Sequence, residues 1–192
     1  MKIAILCFLV IIVCMRKSKY FIRIVWPLSI LLILVSPYLR IVICQKLSMT
    51  YVLFSLLLGN LLFLFSCILV CGKNFHIALD SPRAFFQKPL VRKNLSYLCK
   101  TILTVFYDEM LFRGTIQKSF GDNYFSAVLV IIMFSTYHIN KKVKLIQFID
   151  ITIFSAILSL IYLKYDNIWM TFILHVIRNI NITLFVSKSK KC

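Results

Sequence analysis

The sequence predicts an all-α fold, a polytopic bundle of transmembrane helices, and three observations support this class. Hydrophobic residues make up 61% of the 192 residues, and the mean hydropathy is +0.91, well above that of ordinary soluble domains. Apolar runs recur along the chain, and most Lys and Arg residues lie in the short segments between them. At about 20 residues per span, the chain has room for about seven helices.

Seven apolar runs give the predicted spans: 3–15, 24–44, 50–71, 98–118, 123–139, 145–163 and 167–186. The first run is short, and the bundle has six spans if this run does not cross the membrane. Most of its flanking charges follow it, which favours a retained signal anchor over a cleaved signal peptide. Pro37 predicts a kink in the second span, because proline removes a helical hydrogen bond.

The predicted organisation has three parts. Residues 1–93 hold the N-terminal helices and a basic cytoplasmic loop, residues 94–186 form a helical core, and residues 187–192 form a basic cytoplasmic tail. The basic loop at 72–93 contains Phe85 and Phe86 among its charges. This mixture indicates a segment that lies on the membrane surface.

The net charge of +17 suggests nucleic acid as a partner, but the positions of the charges argue against it. The basic residues are spread over short loops, so we expect them to set the topology and to contact anionic lipids. Their alternation along seven spans predicts an outside N-terminus and a cytoplasmic C-terminus. The abundance of Ile, Lys and Phe favours an AT-rich bacterial genome, and therefore a bacterial plasma membrane.

The fourth span contains three ionisable side chains within six residues, namely Asp108, Glu109 and Arg113. Glu109 is the only glutamate in the sequence. A charge at the bilayer centre costs roughly 2.5–3.5 kcal/mol, so these groups require polar partners or water. A helix places Glu109 and Arg113 on one face. The pattern fits either a salt-bridge network that fixes helix packing or a functional site.

Two of the three histidines also lie in predicted spans. His138 is near the end of the fifth span, and His175 in the seventh is followed four residues later by Asn179. With the carboxylates, these groups could polarise a water, accept its proton and stabilise an oxyanion. A rise of about 1.5 Å per residue places them in the cytoplasmic half of the bilayer. The alternatives are an interfacial His138, and interhelical hydrogen bonding by His175 and Asn179.

In chain order these residues form three motifs: Asp108-Glu109-x-x-x-Arg113, Phe134-x-x-x-His138 and His175-x-x-x-Asn179. The ordered set resembles the CAAX protease and bacteriocin-processing family of intramembrane endopeptidases. That family has the pattern Glu-Glu-x-x-x-Arg, Phe-x-x-x-His and His-x-x-x-Asn on successive helices. The resemblance covers roughly residues 94–186, and it implies cleavage of a membrane-associated peptide or protein.

The resemblance also implies roles for individual residues. The attacking water would be activated by the acidic pair and the first histidine, Asp108, Glu109 and His138. The oxyanion would be held by His175 and Asn179, and Arg113 would orient the carboxylates. The expected partners are membrane lipids and a peptide or protein substrate.

The cofactor stays open between none and a divalent metal such as zinc. In the metal-dependent interpretation of the family, Glu109, His138 and His175 would be the ligands. One carboxylate and two imidazoles suit zinc, which would keep a fourth position for water.

The first motif departs from the family pattern, because Asp108 stands where the family has glutamate. Aspartate is one methylene shorter, which matters where groups require close placement. This departure permits a second hypothesis, a non-catalytic membrane immunity or partner protein that keeps the fold. A third hypothesis is a small transporter or proton relay, since carboxylates and histidines in membranes also serve transport. Among peptidase functions, the composition favours bacterial peptide maturation, bacteriocin processing or self-immunity.

Asp150, in the sixth span, has no place in the family pattern. Its expected partner is either Arg178 or a lysine of residues 141–144.

Overall fold

The computed structural model describes residues 2–5, 7–8, 21–71, 92–138 and 145–186, and these residues form helices joined by short turns. The helices are α1 (Phe21–Val35), α2 (Leu39–Ile43), α3 (Met49–Cys71), α4 (Arg92–Glu109), the π-helix π1 (Met110–Gln117), α5 (Lys118–Phe120), α6 (Tyr124–His138), α7 (Leu145–Tyr165) and α8 (Ile168–Val186). No β-strand occurs within these ranges. The predicted all-α class is therefore confirmed.

Several helices have the composition of membrane spans. Residues Met49–Val70 of α3 and all of α7 are long and apolar enough to cross a bilayer, and Val25–Val35 and Tyr124–His138 are shorter apolar helices. Their outer faces carry large exposed apolar side chains, for example Leu57 and Ile132. Exposed apolar surface on this scale suits a lipid environment, as predicted for a helical membrane bundle.

Pro37 interrupts the second predicted span more strongly than expected. Instead of a kink within one helix, residues 24–44 contain a break at Ser36–Tyr38, and the following helix α2 is only five residues long. The amides of Ser36 and Leu39 bond to carbonyls three residues back, at 3.1 and 3.2 Å. Proline has no amide hydrogen and restricts the residue before it, so the chain turns here.

Three sequence predictions fall mainly outside the described residues. They concern the first apolar run beyond residue 8, the surface segment as far as residue 91, and the tail at 187–192. Residues 92 and 93, predicted as part of the surface segment, instead begin α4.

The π-helix π1 lies at the centre of the bundle. All eight of its residues are buried, and it packs against α1, α2, α6, α7 and α8. The amide of Lys118 donates to the carbonyl of Arg113, five residues back, as in a π-turn. A Cβ atom on Gly114 would lie 3.1 Å from Ile168 Cδ1 and 3.2 Å from Val42 Cγ1. Glycine therefore lets π1 approach α8 and α2 closely.

Helices α3 and α8 run parallel and pack closely. A Cβ atom on Gly59 would lie 3.0 Å from both the Ile177 Cβ atom and the Leu174 carbonyl oxygen. One turn earlier, the Ser55 hydroxyl donates to the Met170 carbonyl at 3.0 Å. Small residues at such contacts let membrane helices approach each other without the hydrophobic effect.

The turn between α7 and α8 is fixed by the segment between α2 and α3. The Gln45 amide donates to the Asp166 carbonyl at 2.7 Å, and its oxygen accepts the Ile168 amide at 2.8 Å. Asn167 donates to the Lys46 carbonyl at 2.8 Å and caps α8 by accepting the Met170 amide at 3.2 Å. These bonds fix the start of the helix that carries His175.

Candidate active site

The two adjacent carboxylates lie at the end of α4, immediately before the π-helix. Glu109 is fully buried, Asp108 is 3% exposed, and the Arg113 side chain is also fully buried. Consecutive helical residues point about 100° apart. Asp108 and Glu109 can therefore serve different partners although they are neighbours in sequence.

Glu109 forms an enclosed pair with His175. Its Oε1 atom lies 2.7 Å from His175 Nδ1, and Arg113 approaches the same oxygen at 3.4 Å. A carboxylate can only accept, so Nδ1 of His175 donates. Arg113 also donates to the Ser155 hydroxyl on α7 at 3.2 Å. Glu109 and its partners thus link α4 and π1 to α7 and α8.

Asp108 forms a second and more open pair with His138. Asp108 Oδ2 lies 3.5 Å from His138 Nε2, and the His138 side chain is 30% exposed. His138 Nδ1 donates to the Phe134 carbonyl at 2.9 Å, because a carbonyl only accepts. In neutral His138 the lone pair is therefore on Nε2, the atom that faces Asp108. This tautomer suits a general base.

Asn179 lies on α8, four residues after His175, and is partly buried. Its side chain makes no hydrogen bond to any other residue in the described ranges. The structure thus brings five of the six predicted site residues together, as two carboxylate–imidazole pairs with Arg113 bound to the enclosed one. It does not link Asn179 to them directly.

Aromatic side chains that the sequence analysis did not assign to the site hold both imidazoles in place. The Phe134 ring lies 4.1 Å from the His138 ring and 5.9 Å from that of His175, between centroids, and Arg113 lies 4.7 Å from its centre. Phe154 packs edge-on to His175 at 5.0 Å. The spacing of Phe134 four residues before His138 was the available signal, whereas Phe154 and Ser155 had none beyond their helix face.

Helix α1 supports the acidic pair from the other side. The Trp26 ring stacks on the Tyr107 ring, with centroids 5.0 Å apart, and the Tyr107 hydroxyl is hydrogen-bonded to Ser29. Tyr107 immediately precedes Asp108. An N-terminal helix outside the three motifs therefore fixes the backbone that presents the carboxylates.

The predicted metal ligands do not form a metal-binding set. Within the described ranges, no three His, Cys, Asp or Glu side chains come close enough together to hold one ion. His138 is directed at Asp108, and His175 at Glu109. Glu109, His138 and His175 therefore do not meet at one point, and this arrangement does not fit zinc.

A second buried charge cluster lies beside the first. Asp150 pairs with Arg178, one of the two partners expected from the sequence; the lysines of 141–144 lie outside the described residues. Ser66 donates to Asp150 Oδ1 at 2.7 Å and accepts from Arg178 Nε at 3.1 Å. The Arg178 guanidinium lies 4.1 Å from the centre of the Phe154 ring, which also contacts His175. Phe154 thus joins the two clusters.

Ionisable side chains buried among membrane helices indicate a functional site, and carboxylates and imidazoles are the usual general acids and bases. Comparison with known protein families gives one match. Residues 91–181, just under half of the chain, match the model of the family described as type II CAAX prenyl endopeptidase Rce1-like. All three motifs lie within the match, which confirms the resemblance drawn from them. Comparison with curated proteins and with solved structures gives no significant match.

Proposed function

We propose that this protein is an intramembrane endopeptidase that hydrolyses a peptide bond of a membrane-associated substrate. The observation that carries the proposal is the pair of carboxylate–imidazole contacts, one open and one enclosed, on adjacent residues of one helix. The family match supports the same chemistry, because its name describes an endopeptidase.

In the proposed mechanism, the open pair activates water. His138 Nε2 takes a proton from water as the oxygen attacks the carbonyl carbon, and the Asp108 carboxylate stabilises the imidazolium that forms. The same proton then passes to the leaving amine as the carbon–nitrogen bond breaks. The 30% exposure of His138 allows substrate and water to reach it.

In the same mechanism, the enclosed pair stabilises charge. When His175 takes up a second proton beside the Glu109 carboxylate, it donates from Nε2 to the oxyanion, with the Asn179 amide as a second donor. Arg113 orients Glu109 through its contact at 3.4 Å. The Phe134 and Phe154 rings shield His175 from bulk solvent, which strengthens these interactions.

The proposed substrate has a hydrophobic or lipid-modified segment that brings it to the bilayer. The name of the matched family refers to prenylated CAAX substrates. Bacteriocin maturation, other peptide processing or self-immunity in a bacterial plasma membrane are finer proposals, and they rest on the composition alone.

The non-catalytic immunity or partner protein remains the second candidate, because Asp108 departs from the family pattern. One observation favours it, namely the 3.5 Å between Asp108 and His138, which is longer than a strong charge-assisted hydrogen bond. The transporter hypothesis has the weaker support, since Asp150 is already neutralised by Arg178.

The test is cleavage of fluorogenic membrane peptides, including a prenylated one, by the purified protein in lipid nanodiscs, with and without chelator. We expect His138→Ala and Glu109→Gln to abolish cleavage at unchanged protein yield. His76→Ala removes the third histidine, which lies outside the motifs, and serves as the matched control. Equal activity in all four proteins would overturn the assignment. An effect of the chelator on the wild type would point to a metal.

A further inference from the structure

A row of buried polar side chains continues from Glu109 away from His138. On α4 and π1 it consists of Glu109, Arg113 and Gln117, and on the facing side of α7 it consists of Ser155, Ser159 and Tyr162. All six are at most 1% exposed. We call this row the polar seam.

Two direct contacts join the sides of the polar seam at a constant register. Arg113 donates to Ser155 at 3.2 Å, and Gln117 Nε2 donates to the Ser159 carbonyl at 3.0 Å. The spacings of Ser155, Ser159 and Tyr162 place them on one face of α7. The seam is therefore a continuous polar interface inside an otherwise apolar bundle.

Many polar atoms of the seam have no hydrogen-bond partner among the described residues: Glu109 Oε2, Arg113 Nε, Gln117 Oε1, Ser159 Oγ and Tyr162 OH. In the described part of the chain only two other buried polar side-chain atoms are in this state, on Ser119 and Ser135. Buried polar groups are nearly always satisfied by protein or by ordered water. Their concentration along one line indicates a shared partner, and water is small enough to serve all of them.

The seam leads to the end of the bundle opposite His138. The partly exposed side of His138 is called the His138 opening. Helix α6 begins at Tyr124 and ends at His138, so about 20 Å separates its two ends. At the Tyr124 end, Lys118 bridges the exposed carboxylates of Asp122 and Asp166, at 2.8 and 2.7 Å. Asp166 is the first residue after α7, and its amide donates to the Tyr162 carbonyl at 2.8 Å. The seam thus connects the enclosed carboxylate to a charged, solvent-exposed surface.

We propose that the polar seam is a file of water molecules that enters at the bundle end opposite His138, reaches Glu109, and from there supplies hydrolytic water to the adjacent Asp108–His138 pair. The supply role rests on the proposed function, because each hydrolysis consumes one water, and a bound substrate would cover the His138 opening. Arg113 lies within the file, and its fixed positive charge repels hydronium. The file therefore carries water rather than protons.

Hydroxyl-radical footprinting by synchrotron radiolysis tests the file, since radicals formed from bound water oxidise the side chains next to it. The protein is irradiated in nanodiscs, and oxidation is read by mass spectrometry. We expect Tyr162, 1% exposed, to be oxidised, whereas Phe112, fully buried among aromatic rings, stays unmodified. Oxidation of Tyr162 no faster than that of Phe112 would overturn the proposal.

A variant pair sharpens the test. Gln117→Leu combined with Ser159→Ala should lower the oxidation of Tyr162 several-fold and leave exposed Tyr124 unchanged. If the double variant does not fold, Ser159→Ala alone should lower the oxidation of Tyr162 in the same direction. Unchanged oxidation of Tyr162 in a folded variant would contradict the file.

The supply of hydrolytic water is tested separately from the hydrolase proposal, by measuring kcat and KM of the seam variants. The seam variants should lower kcat several-fold at unchanged KM, while Ser135→Ala, another unpartnered buried serine outside the seam, should leave kcat unchanged. A seam variant in which the oxidation of Tyr162 falls while kcat stays normal would overturn the supply role alone. Footprinting does not require activity, so failure to detect any cleavage would count against the proposed function and not against the file.

Discussion

At the residue scale, the main feature is that neighbouring carboxylates have different surroundings. Glu109 is buried with His175 and Arg113, whereas Asp108 contacts His138, whose side chain is partly exposed. The sequence predicted which residues would take part, because charges and histidines in apolar spans are few. It did not predict which carboxylate would meet which histidine, since that depends on the rotation of three helices relative to one another.

Asp108→Glu tests the shorter carboxylate. The added methylene is long enough to close the 3.5 Å between the Asp108 carboxylate and His138 Nε2 to a strong hydrogen bond. If this pair activates water, the substitution should retain or raise kcat, whereas Asp108→Asn should lower it about 100-fold or more. The measurement is steady-state cleavage in nanodiscs. Full activity of Asp108→Asn would assign this residue a purely structural role.

At the element scale, α8 is the helix on which the site depends, and it is fixed at three levels. Its start is capped by Asn167, its middle packs on Gly59 of α3, and Arg178 binds Asp150 of α7. The apolar runs predicted the bounds of α3, α6, α7 and α8 to within about two residues. They did not predict π1, because a π-turn depends on tertiary packing that apolar periodicity does not encode. At Pro37 the sequence predicted a kink where the structure has a full break.

The Asp150–Arg178 pair should stabilise α8 without being irreplaceable. Arg178→Ala leaves a buried carboxylate unpaired, which we expect to cost about 3–5 kcal/mol. The double variant Asp150→Leu with Arg178→Met removes both charges and should recover most of that loss. Thermal unfolding in detergent compares the three proteins. A double variant less stable than Arg178→Ala would show that the charges themselves are required.

At the scale of the whole molecule, the two ends of the bundle differ. One end has the partly exposed His138, and the helices that begin or end there are followed or preceded in sequence by the basic segments 72–93, 141–144 and 188–191. The other end has the smaller cluster of Lys118, Asp122 and Asp166. From the loop charges, the positive-inside rule predicts that the His138 end faces the cytoplasm.

Reporter fusions test the orientation. Green fluorescent protein fused after Cys192 should fluoresce in bacterial cells, and alkaline phosphatase at the same position should be inactive, because we expect this terminus in the cytoplasm. A phosphatase fusion truncated after Asn123 should be active and serves as the opposite control. The reverse pattern of activities would place the site opening on the outer side of the membrane.

The central claim, hydrolysis by water activated between carboxylates and histidines, is tested most directly in water labelled with oxygen-18. Purified protein and a cleavable membrane peptide are incubated in this water, and the new carboxyl terminus is analysed by mass spectrometry. We expect one oxygen-18 atom in that carboxylate after a single turnover, with no product from His138→Ala or Glu109→Gln and normal product from His76→Ala. Equal product from the two site variants, or a product without the label, would contradict it.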